Sequence, residues 1–369
     1  MEKRVLGQTG LSLSILGFGG FHLVEITSDE ASRLLNAYLD AGGNYIETAA
    51  GYGDGASERK IGAAVSRRRS DYVLATKSVE RTRDGFLRGL EASLRNLKTD
   101  HVDLMFMHAV QTAEEADAIL APGGALEGAE RARRDGKLKF VAISGHGRPD
   151  GLLRAVKLHR FDALMTVFNY FDRFNFPAVE RELVPLCQQK GTGLIAMKAF
   201  GDGYLFRSPA PSLRYTLGMP VATIVAGMNT EELLRKDLEM VSTLKPLTDA
   251  EKEELYRTAP ELGDYVCRFC GKCAVDGFDP QTVFQLEAVF DRQMDSLRVG
   301  DAAQYALQER LKHWFAQKDA ARREYGALAV KVDTGRDYSG LSRRCPYGID
   351  VDRKLKIAHA KLSANGYLA

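Results

Sequence analysis

The feature that most constrains this chain is a rhythm of short apolar runs alternating with longer amphipathic segments through its first two-thirds. The runs fall at residues 15–20, 45–47, 72–76, 102–107, 140–143, 163–168, 194–197 and 222–225. Apolar runs without alternation are buried on both faces, the condition of a parallel sheet covered by helices. The segments between them, such as 29–40, 84–96, 126–134, 178–189 and 231–238, carry helical spacing. Eight such units in about 240 residues predict a (β/α)8 barrel rather than an open doubly wound sheet. A loose alternation over residues 5–16, centred on Thr9-Gly10, predicts a β-hairpin ahead of the barrel. No Gly-rich dinucleotide fingerprint follows the first strand, because GFGGFH lacks the required spacing.

The rhythm ends near residue 245, and 369 residues exceed the roughly 250 of a barrel alone. The expected division is therefore a barrel over 1–245 and a mostly helical domain over 246–369, with helices at 250–258, 281–295 and 301–323. A net charge of +2 gives no reason to invoke nucleic acid or a membrane surface as partner. No stretch approaches the roughly 20 apolar residues of a membrane span, and MEKRVLGQTG lacks the pattern of a secretory signal. Three of the five cysteines fall within seven residues, unlike a secreted disulfide framework. Together these features predict a cytoplasmic protein.

In barrels, chemistry sits in the loops after strand C-termini. Four polar groups take such places: Glu47 and Tyr52 after the second strand, Lys77 closing VLATK, and His108 closing DLMFMH. Together they suit proton delivery. A phenol with a pKa near 10 is a poor acid or base at neutral pH; an adjacent ammonium favours the phenolate. A carboxylate can hold that ammonium, and an imidazole can orient a carbonyl oxygen.

The run ETAAGYGDGASE, then Lys77, then His108, behind an N-terminal hairpin, resembles the aldo-keto reductase superfamily over roughly residues 1–245. The resemblance implies an NAD(P)H-dependent interconversion of a carbonyl and an alcohol. It makes Tyr52 the general acid, Lys77 its tuning cation and His108 the substrate-orienting imidazole. Glu47 stands where the family has Asp. The resemblance also places Gly20, Ser144, Asn169, Met197, Lys198, Gly227, Asn229 and Asp237 at the cofactor. Met165 replaces a frequent Gln, and Met197-Lys198 replaces an aromatic-plus-Ser pair. Gly227 and Leu233 stand where NADPH-specific members carry basic residues, with Glu231 and Glu232 nearby. This tilts the expectation towards NADH while Arg235 and Lys236 keep NADPH open. His22 and His146 lie at strand ends as candidate pocket residues.

A second motif makes a separate claim. Cys267, Cys270 and Cys273 form C-x2-C-x2-C, and Cys345 precedes Pro346. In the two-cluster ferredoxin pattern C-x2-C-x2-C-x3-C-P, the fourth cysteine of one run ligates the other cluster. Three cysteines of one run and the Cys-Pro of another thus make one [4Fe–4S] set, the set present here. The region resembles a ferredoxin-like domain that keeps one cluster, and the whole resembles an iron–sulfur subgroup of aldo-keto reductases. Four thiolates also suit structural zinc. Cys187 reads as a buried bystander.

The leading expectation is an oxidoreductase with one [4Fe–4S] cluster of structural, interface or sensing role. Two alternatives stay open. One is an electron-transfer or interaction subunit, with a redox partner protein, whose barrel is catalytically impaired. The other is a lyase or isomerase using bound NAD(P) without net redox change.

Overall fold

A computed structural model of the protein describes residues 1–295, 297, 299–312 and 316–363. These divide into two compact units. The first comprises Met1–Phe168, Ala178–Ala199 and Leu213–Pro246; the second comprises Asn169–Pro177, Phe200–Ser212 and the described residues from Leu247 on. Two segments within the barrel part of the sequence, 169–177 and 200–212, thus group with the C-terminal residues.

The first unit opens with the hairpin, β1 (Lys3–Val5) pairing antiparallel with β2 (Ser12–Ser14). Eight parallel strands follow: β3 (Leu16–Gly19), β4 (Tyr45–Glu47), β5 (Val73–Ser78), β6 (Val102–Met107), β7 (Leu138–Ser144), β8 (Ala163–Val167), β9 (Gly193–Met197) and β10 (Thr223–Gly227). They pair in chain order, and β10 returns to β3 to close the barrel. Each coincides with one of the apolar runs. The inward residues, among them Tyr45, Ala75, Leu104, Phe106, Ala142, Ile195 and Val225, pack with Leu6 and Leu13 of the hairpin segment. The hairpin therefore contributes to the barrel core. Gly7 adopts φ +50°, and a Cβ there would collide with the backbone of Gly193 at the start of β9; only glycine admits so close an approach.

Surrounding helices begin where local chemistry dictates. Thr27 with Glu30 and Thr112 with Glu115 form capping boxes, each satisfying orphan amides of a first helical turn. No described helix is long and apolar enough to cross a membrane.

The second unit is built from helices, including Asp249–Thr258, Pro280–Asp291, Ala302–Lys312, Lys318–Ala327 and Val351–Ser363. It has its own core, in which Cys267 and Cys273 pack with Val283, Phe284, Phe290, Tyr325 and Leu355. Two expected helices are corrected. The helix predicted to 295 stops at Asp291, because Arg292 and Gln293 turn into the left-handed region (φ 62° and 56°). That turn directs Arg292 at Asp172 and Asp202, and Gln293 at the Cys267 amide and the Phe174 carbonyl. The single helix predicted over 301–323 is two, and the Gln317 amide between them bonds the Val289 carbonyl; residues 313–315 lie outside the described set.

A buried charge cluster crosses this core. Glu287, wholly buried, accepts from Lys354 at 2.7 Å, Lys361 at 2.7 Å and the Tyr265 hydroxyl at 2.6 Å. The two ammonium groups hold the Glu287 carboxyl down to about 2 against the opposing effect of burial.

Candidate active site

Strand parity positions the polar constellation. Side chains alternate faces along a strand, so residues two apart share one. Tyr45, Ala75 and Phe106 point into the barrel core. Glu47, Lys77 and His108, each two residues further, therefore face the same interior at its C-terminal mouth. Ser144 follows inward Ala142 on β7, Met197 follows inward Ile195 on β9, and Gly227 follows inward Val225 on β10.

Lys77 is the hub. Its ammonium contacts the Glu47 carboxylate, donates to the Thr48 carbonyl at 2.8 Å and reaches the Tyr52 hydroxyl at 3.2 Å. The side chains of Lys77 and Glu47 are 2% and 5% exposed, so this is a buried ion pair. The longer acid is accommodated: Glu47 meets Lys77 from the last residue of β4. Burial pulls the Lys77 pKa down and Lys198 pushes the same way; the adjoining carboxylate opposes both.

Burial pushes the Tyr52 pKa upward, against the expectation that Lys77 would lower it. In the free protein, desolvation of the phenolate outweighs the ammonium, so Tyr52 holds its proton across the neutral range. His108 goes the other way: burial, reinforced by the charges of Lys77 and Arg81, takes its imidazole down to about 3. At neutral pH it is uncharged and offers one N–H donor.

Rings rim the mouth. Phe21 packs edge-on to Tyr52 with centroids 5.1 Å apart, and His22 stands 5.2 Å from Phe21. Tyr52 lies 6.1 Å from His108, and His108 lies 6.2 Å from His146. The structure thus brings His22 and His146 to the site. It adds Phe21, which is 42% exposed and which no sequence pattern singled out. A second layer was also missed. Buried Glu58 accepts from Thr76, beside Lys77, at 2.7 Å and from Asn96 at 3.0 Å, while Ser57 joins Thr48 to the Gly20 carbonyl. Its only sequence signal was a Ser-Glu pair opening the helix after the loop.

The expected cofactor residues divide. Gly20 is packed so closely that a Cβ would meet the Glu47 carbonyl at 2.8 Å. Ser144 is buried at the end of β7, its hydroxyl 3.4 Å from the Ala109 amide. Met197 ends β9, and Lys198 follows in a left-handed conformation (φ 58°). Gly227 is exposed at the end of β10, and Asn229 donates to Glu25 at 2.9 Å. Thr230 caps the helix Glu231–Thr243, on which Asp237 is buried. Desolvation raises the Asp237 pKa to about 7. Asn169 does not join the barrel unit. Its amide nitrogen donates to Asp172 at 2.8 Å and its carbonyl accepts the Asp172 amide at 2.7 Å, a local turn within the second unit.

In the second unit, Cys267, Cys270, Cys273 and Cys345 line one cavity with Arg268 and Tyr347. Cys267 and Cys273 are buried and Cys270 is exposed. Among the described residues, no three His, Cys, Asp or Glu side chains are grouped to hold a single metal ion. The Phe269 amide points at the Cys267 sulfur at 3.4 Å. Cys187 is buried in a helix of the barrel unit, where burial takes its thiol up to about 12.

Comparison with known proteins agrees with the barrel geometry. The profile of the Aldo/keto reductase family matches residues 15–256. An uncharacterized oxidoreductase, YqkF, of Bacillus subtilis is 25% identical over 315 residues, covering 70% of this chain and 99% of its own. The D-threo-aldose 1-dehydrogenase of a Pseudomonas species is 29% identical over 245 residues, covering 57% and 73%. Among solved structures, the aldo-keto reductase AKR11C1 of Bacillus halodurans superposes with a TM-score of 0.59 at 25% identity, covering 69% of this chain and 95% of its own. A closed eight-stranded barrel with these matches identifies the chain as a member of the aldo/keto reductase family, an NAD(P)-dependent oxidoreductase.

Proposed function

We propose that this protein reversibly reduces a small carbonyl compound to an alcohol, with Tyr52 as proton donor. The observation that carries the reading is the Lys77 ammonium, bonded at once to Glu47 and, at 3.2 Å, to the Tyr52 hydroxyl. When bound, the nicotinamide supplies the hydride to the carbonyl carbon. Tyr52 delivers its proton to the carbonyl oxygen. Lys77 then stabilises the phenolate, and Glu47 keeps Lys77 charged. Neutral His108 donates a hydrogen bond to the same oxygen and orients the substrate. The rings of Phe21, His22 and His146 make the pocket suited to an apolar or aromatic carbonyl.

The barrel mouth fits the cofactor. Gly227 is exposed without a side chain, Lys198 offers a cation for the pyrophosphate, and the helix from Glu231 presents its N-terminal amides. Ser144 would hold the carboxamide. Arg235 is paired with Glu239 and Lys236 with Glu232, which leaves carboxylates beside the groups that a 2′-phosphate would need. This supports NADH as the preferred nucleotide.

We further propose that Cys267, Cys270, Cys273 and Cys345 hold one [4Fe–4S] cluster. The C-x2-C-x2-C spacing with a distant Cys-Pro, together with four cysteines lining one cavity and an amide directed at the Cys267 sulfur, supports a cluster over zinc; these four would hold it. Such a cluster supplies one-electron chemistry when bound.

The test is anaerobic purification followed by assay of NAD(P)H-dependent carbonyl reduction in wild type and Tyr52→Phe. Loss of turnover with retained nucleotide binding is expected; survival of reduction in the variant removes the tetrad. Iron and acid-labile sulfide in the same sample test the cluster, and a zinc-only result overturns it.

A further inference from the structure

Arg268, between two of the cavity cysteines, is a buried cation with no acidic hydrogen-bond partner among the described residues. It is 5% exposed. Its Nε donates to the Tyr256 carbonyl at 3.0 Å, Nη1 to the carbonyls of Leu262 at 3.3 Å and Val266, and Nη2 to that of Gly263 at 2.7 Å. The guanidinium lies 5.0 Å from the Tyr347 ring centroid, and the side chain lines the cavity with all four cysteines. Neutral carbonyls hold it in place without cancelling its charge. The contrast within the same unit is Lys354, equally buried but neutralised directly by Glu287 at 2.7 Å.

Burying a charge without an opposite partner is costly. The acidic groups within electrostatic reach of Arg268 are the Tyr347 phenol, the Cys267 and Cys345 thiols and Asp264, which accepts no hydrogen bond from it. Burial keeps the Cys267 and Cys273 thiols protonated, so a group that ionises the four cysteines as ligands would bring Arg268 its counter-charge. A guanidinium cannot respond by losing its proton.

We propose that Arg268 is a positioning residue for cavity charge: a fixed cation that raises the reduction potential of the group held by the four cysteines. The inference rests on the cluster reading above. Adding one electron adds one negative charge to a group already made anionic by four thiolates. Arg268 stabilises that added charge and so favours the reduced form, net charge being one of the levers on such potentials.

The experiment is a redox titration of the anaerobically purified full-length protein with a viologen mediator and dithionite as electron donor, read by electron paramagnetic resonance. Iron and sulfide content are measured beside it. Arg268→Gln removes the charge and keeps two donors; Arg268→Lys keeps the charge and loses the fork. The oxidised form of Arg268→Gln is expected to be favoured at least tenfold, a fall of ~59 mV or more for one electron. Arg268→Lys should stay within about threefold of wild type. An unshifted potential in a fully loaded Arg268→Gln overturns the inference and leaves the cluster standing. Should Arg268→Gln fail to hold iron, Arg268→Lys decides. A loaded protein near the wild-type potential supports a charge role; a tenfold shift, or loss of the cluster there too, shows a scaffold role and overturns it. Wild type lacking iron and sulfide sinks the cluster reading itself.

Discussion

Replacing Glu47 by Gln tests the hub of the site, because it removes one charge and almost no volume. Lys77 then loses the carboxylate that it contacts, at a position where its side chain is 2% exposed. Leaving a buried charge unpaired costs ~3–5 kcal/mol. Lys77 has a cheaper course: burial and Lys198 already disfavour its charged form, so without Glu47 it gives up its proton more readily. The neutral amine can still donate to the Thr48 carbonyl and the Tyr52 oxygen, but it no longer stabilises a phenolate by charge. The difference between a charged and a neutral hydrogen bond at that distance is ~1–2 kcal/mol. The variant should therefore lose roughly 5- to 30-fold in kcat where Lys77 is uncharged. It should recover as pH falls and Lys77 regains its proton, and more steeply than wild type. Glu47→Asp keeps the charge and retracts it by about one C–C bond, ~1.5 Å. It should lose activity without acid recovery, since displacement rather than protonation limits it. Steady-state kinetics from pH 5.5 to 8.5 with saturating nucleotide read all three proteins. Glu47→Gln within threefold of wild type, with the same pH profile, would refute the role assigned to the pair.

The remaining expectations address other groups. Because the His108 imidazole is driven down to about 3, carbonyl reduction should show no histidine limb between pH 5.5 and 7.5; a kcat/KM profile bending near pH 6.5 contradicts the neutral assignment. Asp237→Asn should stabilise the nucleotide-free protein at alkaline pH. A carboxyl raised from 3.8 to about 7 in the fold is penalised when ionised, so wild type loses stability as pH rises from 3.8 through about 7. The variant's advantage should reach up to ~4 kcal/mol above pH 8 and vanish near pH 4. Thermal melts across that range check the sign. The ratio of kcat/KM for NADH over NADPH should exceed one, and Glu232→Ala, which frees Lys236, should reduce it; an unchanged ratio removes that pairing from specificity.

Much of the barrel was legible because burial on both faces writes itself into consecutive residues. Val102–Met107 and Ala163–Val167 are apolar but for Asp103 and Thr166, and fully buried. The same regularity carried the site. Once Tyr45, Ala75 and Phe106 point inward, Glu47, Lys77 and His108 must follow at the same parity. Other features answer to no local pattern. The helix from Pro280 ends at Asp291 although residues 292–295 carry no breaker, because Arg292 is drawn to acids over eighty residues away. Asn169 has the right parity after Val167, yet it turns onto Asp172.

By itself, then, the sequence determined the eight strands, the hairpin ahead of them, and which polar side chains arrive at the barrel mouth. Each depends on burial and alternation within a few residues. Tertiary structure decided how those groups behave. It made Tyr52 harder to ionise although an ammonium lies beside it, and it kept His108 neutral. It turned Arg268, one arginine among many in the sequence, into a buried charge facing four thiols. Desolvation and uncompensated charge depend on everything that packs around a group, and that is assembled only when distant segments meet.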